Sequence, residues 1–149
     1  MQADLIIFHG QVIDGDGTVG IIADLAVVDD RIVAIGDLND WHAGQVIDAT
    51  GKVVAPGFID PHVHHDEAVL TDPLLPCMIS QGVTTVINGN CGFSIAPLTN
   101  PGILPAPLDL ILDGDRPRFA SYAQYRATLE SHPPAVNAAC LIGHGSIRV

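Results

Sequence analysis

Basic residues are scarce in this 149-residue sequence, which has six lysines and arginines against 17 acidic residues and a formal net charge of −11. Nucleic acids and anionic membrane surfaces are therefore poor partners, because the electrostatic contribution to their binding would be repulsive. No apolar run reaches the ~20 residues that cross a bilayer, and the first residues lack the basic and apolar segments of a secretion signal. We expect a cytoplasmic protein.

Cysteine is also scarce. The three cysteines, Cys77, Cys91 and Cys140, are an odd number without the spacing of a disulfide framework, which favours reduced thiols. Cys77 falls in a predicted helix and Cys140 in a predicted strand, and we expect both to be structural. Hydrophobic residues, in contrast, make up 48% of the chain and charged residues 15%, which is enough apolar material for a packed core.

The residue pattern of the sequence changes near residue 55. Residues 1–55 hold short β-type runs separated by turns rich in Asp and Gly, such as Asp14-Gly15-Asp16-Gly17. This pattern is typical of hairpins and predicts a small antiparallel β-sandwich domain. From residue 56 onward, strand and helix patterns alternate, which is typical of a parallel sheet with crossover helices. Residues 56–149 are therefore predicted to form an α/β domain of three βα units.

The second domain has predicted strands over residues 57–59, 83–87 and 136–142. A first helix is predicted to begin at Asp72, as the N-cap before Pro73, and to end at Gly82. A second helix is predicted over residues 121–130.

Two histidines, His62 and His64, follow the first strand of this domain. Alternate residues of a strand point to the same face about 6.6 Å apart, so both imidazoles can reach one ion at the ~2.0–2.1 Å of zinc–nitrogen bonds. Pro61 places the pair at the carboxyl end of the strand, because proline inside a strand removes a hydrogen bond. Taken alone, however, a His-x-His pair indicates two surface or packed histidines as readily as it indicates a metal site.

Cys91 follows the next strand, within Asn88-Gly89-Asn90-Cys91-Gly92. Because sequential parallel strands usually lie side by side, Cys91 should lie near the histidine pair. A thiolate flanked by glycines can approach a metal closely and can bridge two ions. The alternative is a small buried hydrophobic residue, the usual role of a free cysteine, and position alone leaves both open.

The segments G-F-I-D-P-H-V-H-H-D and I-S-Q-G-V-T-T-V-I-N-G-N-C-G resemble the N-acyl-D-amino-acid deacylases, or D-aminoacylases, of the amidohydrolase superfamily. Many superfamily members share the His-x-His pair, whereas Gly-Asn-Cys-Gly resembles the deacylase branch. The resemblance implies a (β/α)8 TIM-type barrel after the sandwich, with His62, His64 and Cys91 binding one or two zinc ions. It also implies a small N-acyl amino acid substrate, hydrolysed to a carboxylate and a D-amino acid.

A complete barrel of this type takes ~250 residues, far more than residues 56–149 supply. The sequence is therefore expected to be an amino-terminal portion, because the family's other metal ligands and its catalytic base lie on later strands. We expect this chain alone to be inactive and to self-associate through its open barrel. The alternatives are another amidohydrolase, such as a dihydroorotase-like or hydantoinase-like cyclic amidase or a deaminase, and a non-catalytic fragment that retains the metal motif.

Two further residues have alternative readings. Asp66 either hydrogen-bonds a ligand imidazole and fixes its tautomer or is simply solvated. His144 lies at the end of the third predicted strand. It either has a functional role, as a substrate contact or a support for the metal, or it merely caps the strand end. No catalytic residue is assigned with certainty within this chain.

Overall fold

The computed structural model divides the chain into two compact units, Met1–Pro56 and Gly57–Val149. It describes residues 1–98, 104, 106–111 and 118–148. Within those ranges, no helix has the length and apolar character needed to cross a membrane.

The first unit is a five-stranded sheet. Its strands are β1 (Gln2–Val12), β2 (Ile21–Val28), β3 (Arg31–Gly36), β4 (His42–Asp48) and β5 (Val53–Val54). The order is β3-β2-β1-β4, and β5 also pairs with β1. The three strands from β1 to β3 are antiparallel, but β4 and β5 each run parallel to β1. The prediction of antiparallel pairing is therefore wrong for β4 and β5.

The parallel pairing follows from the connection between β3 and β4. A tight hairpin would have placed β4 antiparallel beside β3, whereas the chain crosses to the far edge of the sheet and joins β1. Leu38, within this connection, is buried in the core with Ala3, Ile6 and Ala26, and Trp41 packs against the same cluster. The apolar side chains of the crossing thus cover one face of the sheet.

Strand β1 is a continuous strand of 11 residues. Its pairing with β2 is irregular between Ile7 and Gly10, and His9 has a φ of 61°. The His9 N–H donates to one carboxylate oxygen of Asp24 at 2.9 Å, and the Leu38 N–H donates to the other at 3.1 Å. The buried Asp24 carboxylate is thus paired with two backbone donors, as a charge removed from water requires.

The other face of this sheet is uncovered in the first unit. It carries a cavity of about 350 Å³, and Ile32 and Ile35 remain 60% and 50% exposed. We call this surface the open apolar face. Its residues include Ile7, Val27, Ile32 and Ile35.

The second unit has a parallel sheet in the order β6-β7-β8. Its strands are β6 (Phe58–Val63), β7 (Val83–Asn88) and β8 (Asn137–Cys140). The helices are α1 (Ala68–Thr71), α2 (Pro76–Ile79), α3 (Leu108–Ile111), α4 (Tyr122–Ser131) and α5 (His144–Ile147). Val86 of the central strand is fully buried and packs in one cluster with Val69, Ile95, Leu108 and Tyr125.

The first predicted helix is wrong in its extent, because only α2 lies within residues 72–82 and α1 ends before them. Asp72 is the C-cap of α1 rather than an N-cap, and α2 begins at Pro76. A proline fits without loss of a hydrogen bond only in the first turn, so Pro76 must start a new helix. The second predicted helix is confirmed: Ser121 caps α4 and exchanges hydrogen bonds with Gln124 in a capping box.

Candidate metal centre

The carboxyl end of β6 carries the two predicted histidine ligands. The strand runs one residue beyond His62, farther than predicted, and the ring centroids of His62 and His64 lie 5.4 Å apart. Pairing with β7 is irregular between Asp60 and Val63, because Pro61 has no N–H to donate. Two side chains replace the lost pairing: Asp60 accepts from the His62 N–H at 3.1 Å, and Asn90 donates to the Pro61 carbonyl at 2.8 Å.

Cys91 lies in the turn that follows β7, between Gly89 and Gly92, which have φ values of 78° and 92°. These left-handed conformations favour glycine. At Gly89 a Cβ would also overlap the carbonyl oxygen of Leu141. The glycines therefore let the chain turn sharply enough to bring the thiol toward β6.

The structure brings the three predicted ligands together. The Cys91 Sγ lies 3.8 Å from the His64 Nδ1, and one ligand atom from each of His62, His64 and Cys91 lies within 4.8 Å of the others. Two ligands of one tetrahedral zinc ion are roughly 3.3–3.8 Å apart, given bond lengths of ~2.0–2.3 Å. The Cys91–His64 pair has that spacing, and both histidines are exposed to solvent.

Asp66, two residues after His64, is only 3% exposed, so the interpretation of Asp66 as a solvated side chain is wrong. Burial raises the pKa of its carboxyl group above the usual value, against the opposing effect of backbone N–H groups of Asp66 itself and Ile95. The Asp66 carbonyl accepts a 2.9 Å hydrogen bond from the buried Tyr125 hydroxyl. The segment after the histidine pair is thus anchored to α4.

His65 is anchored from β7. Its N–H donates to the Oδ1 of Asn88 at 3.2 Å, and Asn88 is fully buried. The Nδ2 of Asn88 faces the Cys140 Sγ at 3.7 Å, so Asn88 links the ends of all three strands. Among the residues that the structure describes, the Nδ1 of His65 is buried without a hydrogen-bond partner.

Among the residues that the structure describes, the remaining predicted residues are not members of the group of three. His144 is exposed and begins α5, because β8 ends earlier than predicted, at Cys140. Cys140 is half-buried and receives contacts from Asn88 and Tyr125, in agreement with a structural role. Cys77 is exposed on α2.

Sequence reasoning missed three buried polar residues behind the group: Asn88, Ser94 and Ser146 are each less than 5% exposed. The available signal was an asparagine directly after an apolar β-branched run. The serines gave none, because each follows a glycine by one or two residues, in a context where serine is ordinary.

Comparison with known proteins agrees with this architecture. The profile of the amidohydrolase family matches residues 45–148. The D-aminoacylase of Alcaligenes xylosoxydans xylosoxydans is 52% identical over 147 residues, which are 97% of this chain and 30% of that enzyme. The chain therefore spans about a third of the length of its relatives.

Two groups of solved structures are similar over nearly the whole chain. D-aminoacylase, studied for its binuclear metal centre, matches with a TM-score of 0.92 at 50% identity, over 98% of this chain and 31% of that one. The N-acyl-D-glutamate deacylase of Bordetella bronchiseptica, solved with zinc and a phosphonate mimic of the tetrahedral intermediate, matches with a TM-score of 0.91 at 45% identity, over 99% and 31%. The predicted fold class, a β-sandwich portion followed by the first strands of a TIM-type barrel, is confirmed.

Proposed function

Because this chain belongs to the amidohydrolase family, we propose that it supplies part of the active site of a zinc-dependent hydrolase that cleaves the amide bond of N-acyl-D-amino acids. The observation that carries the proposal is the convergence of His62, His64 and Cys91 within 4.8 Å at the ends of two neighbouring parallel strands. In a β/α barrel, that end of the strands is the catalytic face.

The donor set fits zinc. Imidazole nitrogen and thiolate sulfur are the ligands that zinc takes in proteins, and hard cations such as Mg²⁺ and Ca²⁺ prefer oxygen. Bound zinc would polarise the amide carbonyl and lower the pKa of a water molecule toward ~7. The role of His62 and His64 is to hold the metal from β6, while Cys91 holds it from the turn after β7 and can serve one ion or bridge two.

The substrate class rests on the relatives that match this chain over almost its full length, which act on D-amino acid derivatives. We propose a small N-acyl amino acid as substrate, and His144 at the start of α5 as a residue that contacts it. The three free cysteines support a cytoplasmic location, because disulfides form mainly in oxidising compartments. Exposed apolar sheet surface supports self-association of the isolated chain.

Zinc titration tests the metal site directly. We expect His62→Ala, His64→Ala and Cys91→Ala each to weaken zinc binding by more than the ~10–100-fold that loss of an outer partner of a metal ligand causes. His132→Ala and Cys77→Ala are the matched controls, because both residues are exposed in the same unit and lie outside the group of three. Equal affinity in the wild-type chain and the Cys91→Ala variant would refute the thiolate ligand.

A chimera tests the reaction. This chain would replace the matching 147 residues of the Alcaligenes D-aminoacylase, and hydrolysis of N-acetyl-D-amino acids would be measured with and without a chelator. We expect zinc-dependent hydrolysis that His62→Ala abolishes in the same chimera. A folded chimera that binds zinc and hydrolyses none of these substrates would contradict the proposed reaction.

The substrates offered to the chimera also separate the alternatives. Cyclic amides and aminopurines, supplied beside the N-acetyl-D-amino acids, would be preferred if the chain came from a cyclic amidase or a deaminase. A non-catalytic fragment that merely retains the motif would support no hydrolysis of any of them.

A further inference from the structure

Two buried serines, Ser94 and Ser146, join the turn that carries Cys91 to the segment after β8, which runs into α5. The Oγ of Ser146 accepts a hydrogen bond from the Ser94 N–H and donates one to the Ser94 carbonyl, both at 2.8 Å. The Oγ of Ser94 accepts from the Gly143 N–H at 2.9 Å and donates to the Ala96 carbonyl at 2.7 Å. Ser146 is fully buried and Ser94 is 4% exposed, so water cannot replace these partners. We call this pair the serine clasp.

The glycines of Gly143-His144-Gly145 allow the two loops to meet. A Cβ on Gly143 would lie 2.5 Å from the Gly92 carbonyl oxygen and 2.6 Å from the Phe93 Cα, and one on Gly145 would lie 2.7 Å from the Phe93 ring. Real Cβ atoms essentially never approach other heavy atoms this closely. The close approach of the two segments thus explains why glycine occupies both positions, and His144 between them is not the reason.

The loop after β8 holds the Cys91 turn on both sides. Before the cysteine, the Leu141 N–H donates to the Asn88 carbonyl at 3.0 Å; after it, the Gly145 N–H donates to the Gly92 carbonyl at 2.8 Å. The serine clasp fixes the chain two residues farther on. Cys91 itself is therefore at the tip of a turn whose ends are fixed by another strand's loop.

We propose that the serine clasp positions Cys91 for metal binding, an inference that rests on the proposed metal site. Neither serine lies among the ligand atoms, so both act through the backbone of the turn. A thiolate on a mobile turn must be ordered each time a metal binds, whereas a thiolate held 3.8 Å from the His64 Nδ1 is already at the spacing of two zinc ligands. Loss of the clasp should therefore lower metal affinity through Cys91 alone.

A double-mutant cycle on this chain tests the proposal. Zinc affinity would be measured for the wild type, Ser146→Ala, Cys91→Ala and the double variant, with Ser131→Ala as the control, because Ser131 is exposed and its hydroxyl bonds only within and beside α4. We expect Ser146→Ala to weaken binding by at least ~10-fold when Cys91 is present. We expect Ser146→Ala to weaken zinc binding by less than ~2-fold when Cys91 is absent, because the effects of two coupled residues are not additive.

Cobalt gives a spectroscopic readout of the same step. The absorption band of a cobalt–thiolate bond reports Cys91 ligation, and we expect Ser146→Ala to reduce this band while Ser131→Ala leaves it intact. Amide hydrogen exchange of Ser94, measured without metal, should become faster in Ser146→Ala, since its acceptor is gone. Should Ser146→Ala fail to fold, Ser94→Ala enters the same cycle, because it removes only the Oγ bonds to Gly143 and Ala96.

The outcomes separate the two proposals. If Cys91→Ala leaves zinc affinity unchanged, the thiolate is not a ligand; that part of the proposed metal site is wrong, and the role of the clasp is wrong with it. If Cys91→Ala weakens binding but Ser146→Ala does not, only the clasp proposal is overturned. An equal loss on removing Ser146 in both backgrounds also overturns it, because a serine that merely stabilises the fold would act regardless of the thiol.

Discussion

Replacing Asn88 by alanine should destabilise the second unit strongly. Asn88 is fully buried, and its Oδ1 is the acceptor for the His65 N–H. A buried donor left unpaired costs about 1–3 kcal/mol, and a cavity of the order of 30 Å³ adds about 0.7 kcal/mol at ~24 cal/mol per Å³. The contact with the Cys140 Sγ, at 3.7 Å, is weak and adds little. We therefore expect a loss of about 2–4 kcal/mol in the free energy of unfolding.

Near-ultraviolet circular dichroism, recorded in a Trp41→Phe background that removes the single tryptophan from the first unit, follows this loss in the second unit. The two tyrosines, Tyr122 and Tyr125, both lie in the second unit, and each kcal/mol should lower its melting temperature by about 4–8 °C for a unit of this size. The matched control is Asn137→Ala, an exposed asparagine of the same sheet that donates to the Thr84 carbonyl at 3.1 Å. We expect it to cost less than about 1 kcal/mol. Equal losses in the two variants would refute the reasoning from burial.

Three further variants test other parts of the fold. Ser121→Ala removes the capping box with Gln124 and should cost about 1 kcal/mol in urea denaturation. Ile6→Ala leaves a cavity at a fully buried position and should lower the free energy of unfolding by about 2–5 kcal/mol. Truncating an exposed side chain of the same sheet should lower it by less than about 1 kcal/mol. Hydrogen bonds from the Thr50 hydroxyl and N–H lower the pKa of Asp48. Their contribution to stability is present above the ordinary pKa of an aspartate and is lost as the pH falls through the lowered pKa. Thr50→Val should raise the pKa of Asp48 in an NMR titration, and an unchanged pKa would refute the role of the hydroxyl.

The sequence carried enough information to bring the three candidate metal ligands together, because local rules fix their positions. His62 and His64 share a face through the two-residue period of a strand, and Cys91 reaches them because sequential parallel strands are neighbours. Neither rule depends on distant packing. The His-x-His pair and the Asn-Gly-Asn-Cys-Gly turn therefore lead directly to three side chains that meet in the structure.

Other features depend on contacts that the sequence does not reveal. The parallel pairing of β4 follows from how Leu38 covers a sheet face, and no local signal distinguishes that crossing from a hairpin. Helix α2 is shorter than the predicted helix because Pro76, rather than Pro73, occupies its first turn. Ser94 and Ser146 are far apart in the sequence, so only the folded chain shows that each satisfies the other's loop.

The open apolar face also bears on the colloidal behaviour of the chain. At neutral pH, the net charge of −11 opposes the association that the exposure of Ile32 and Ile35 favours. As the pH approaches the isoelectric point near 4.6, this repulsion disappears while the apolar surface stays uncovered. Turbidity should therefore rise steeply on mild acidification and fall again below the isoelectric point, and purification is best carried out well above pH 6.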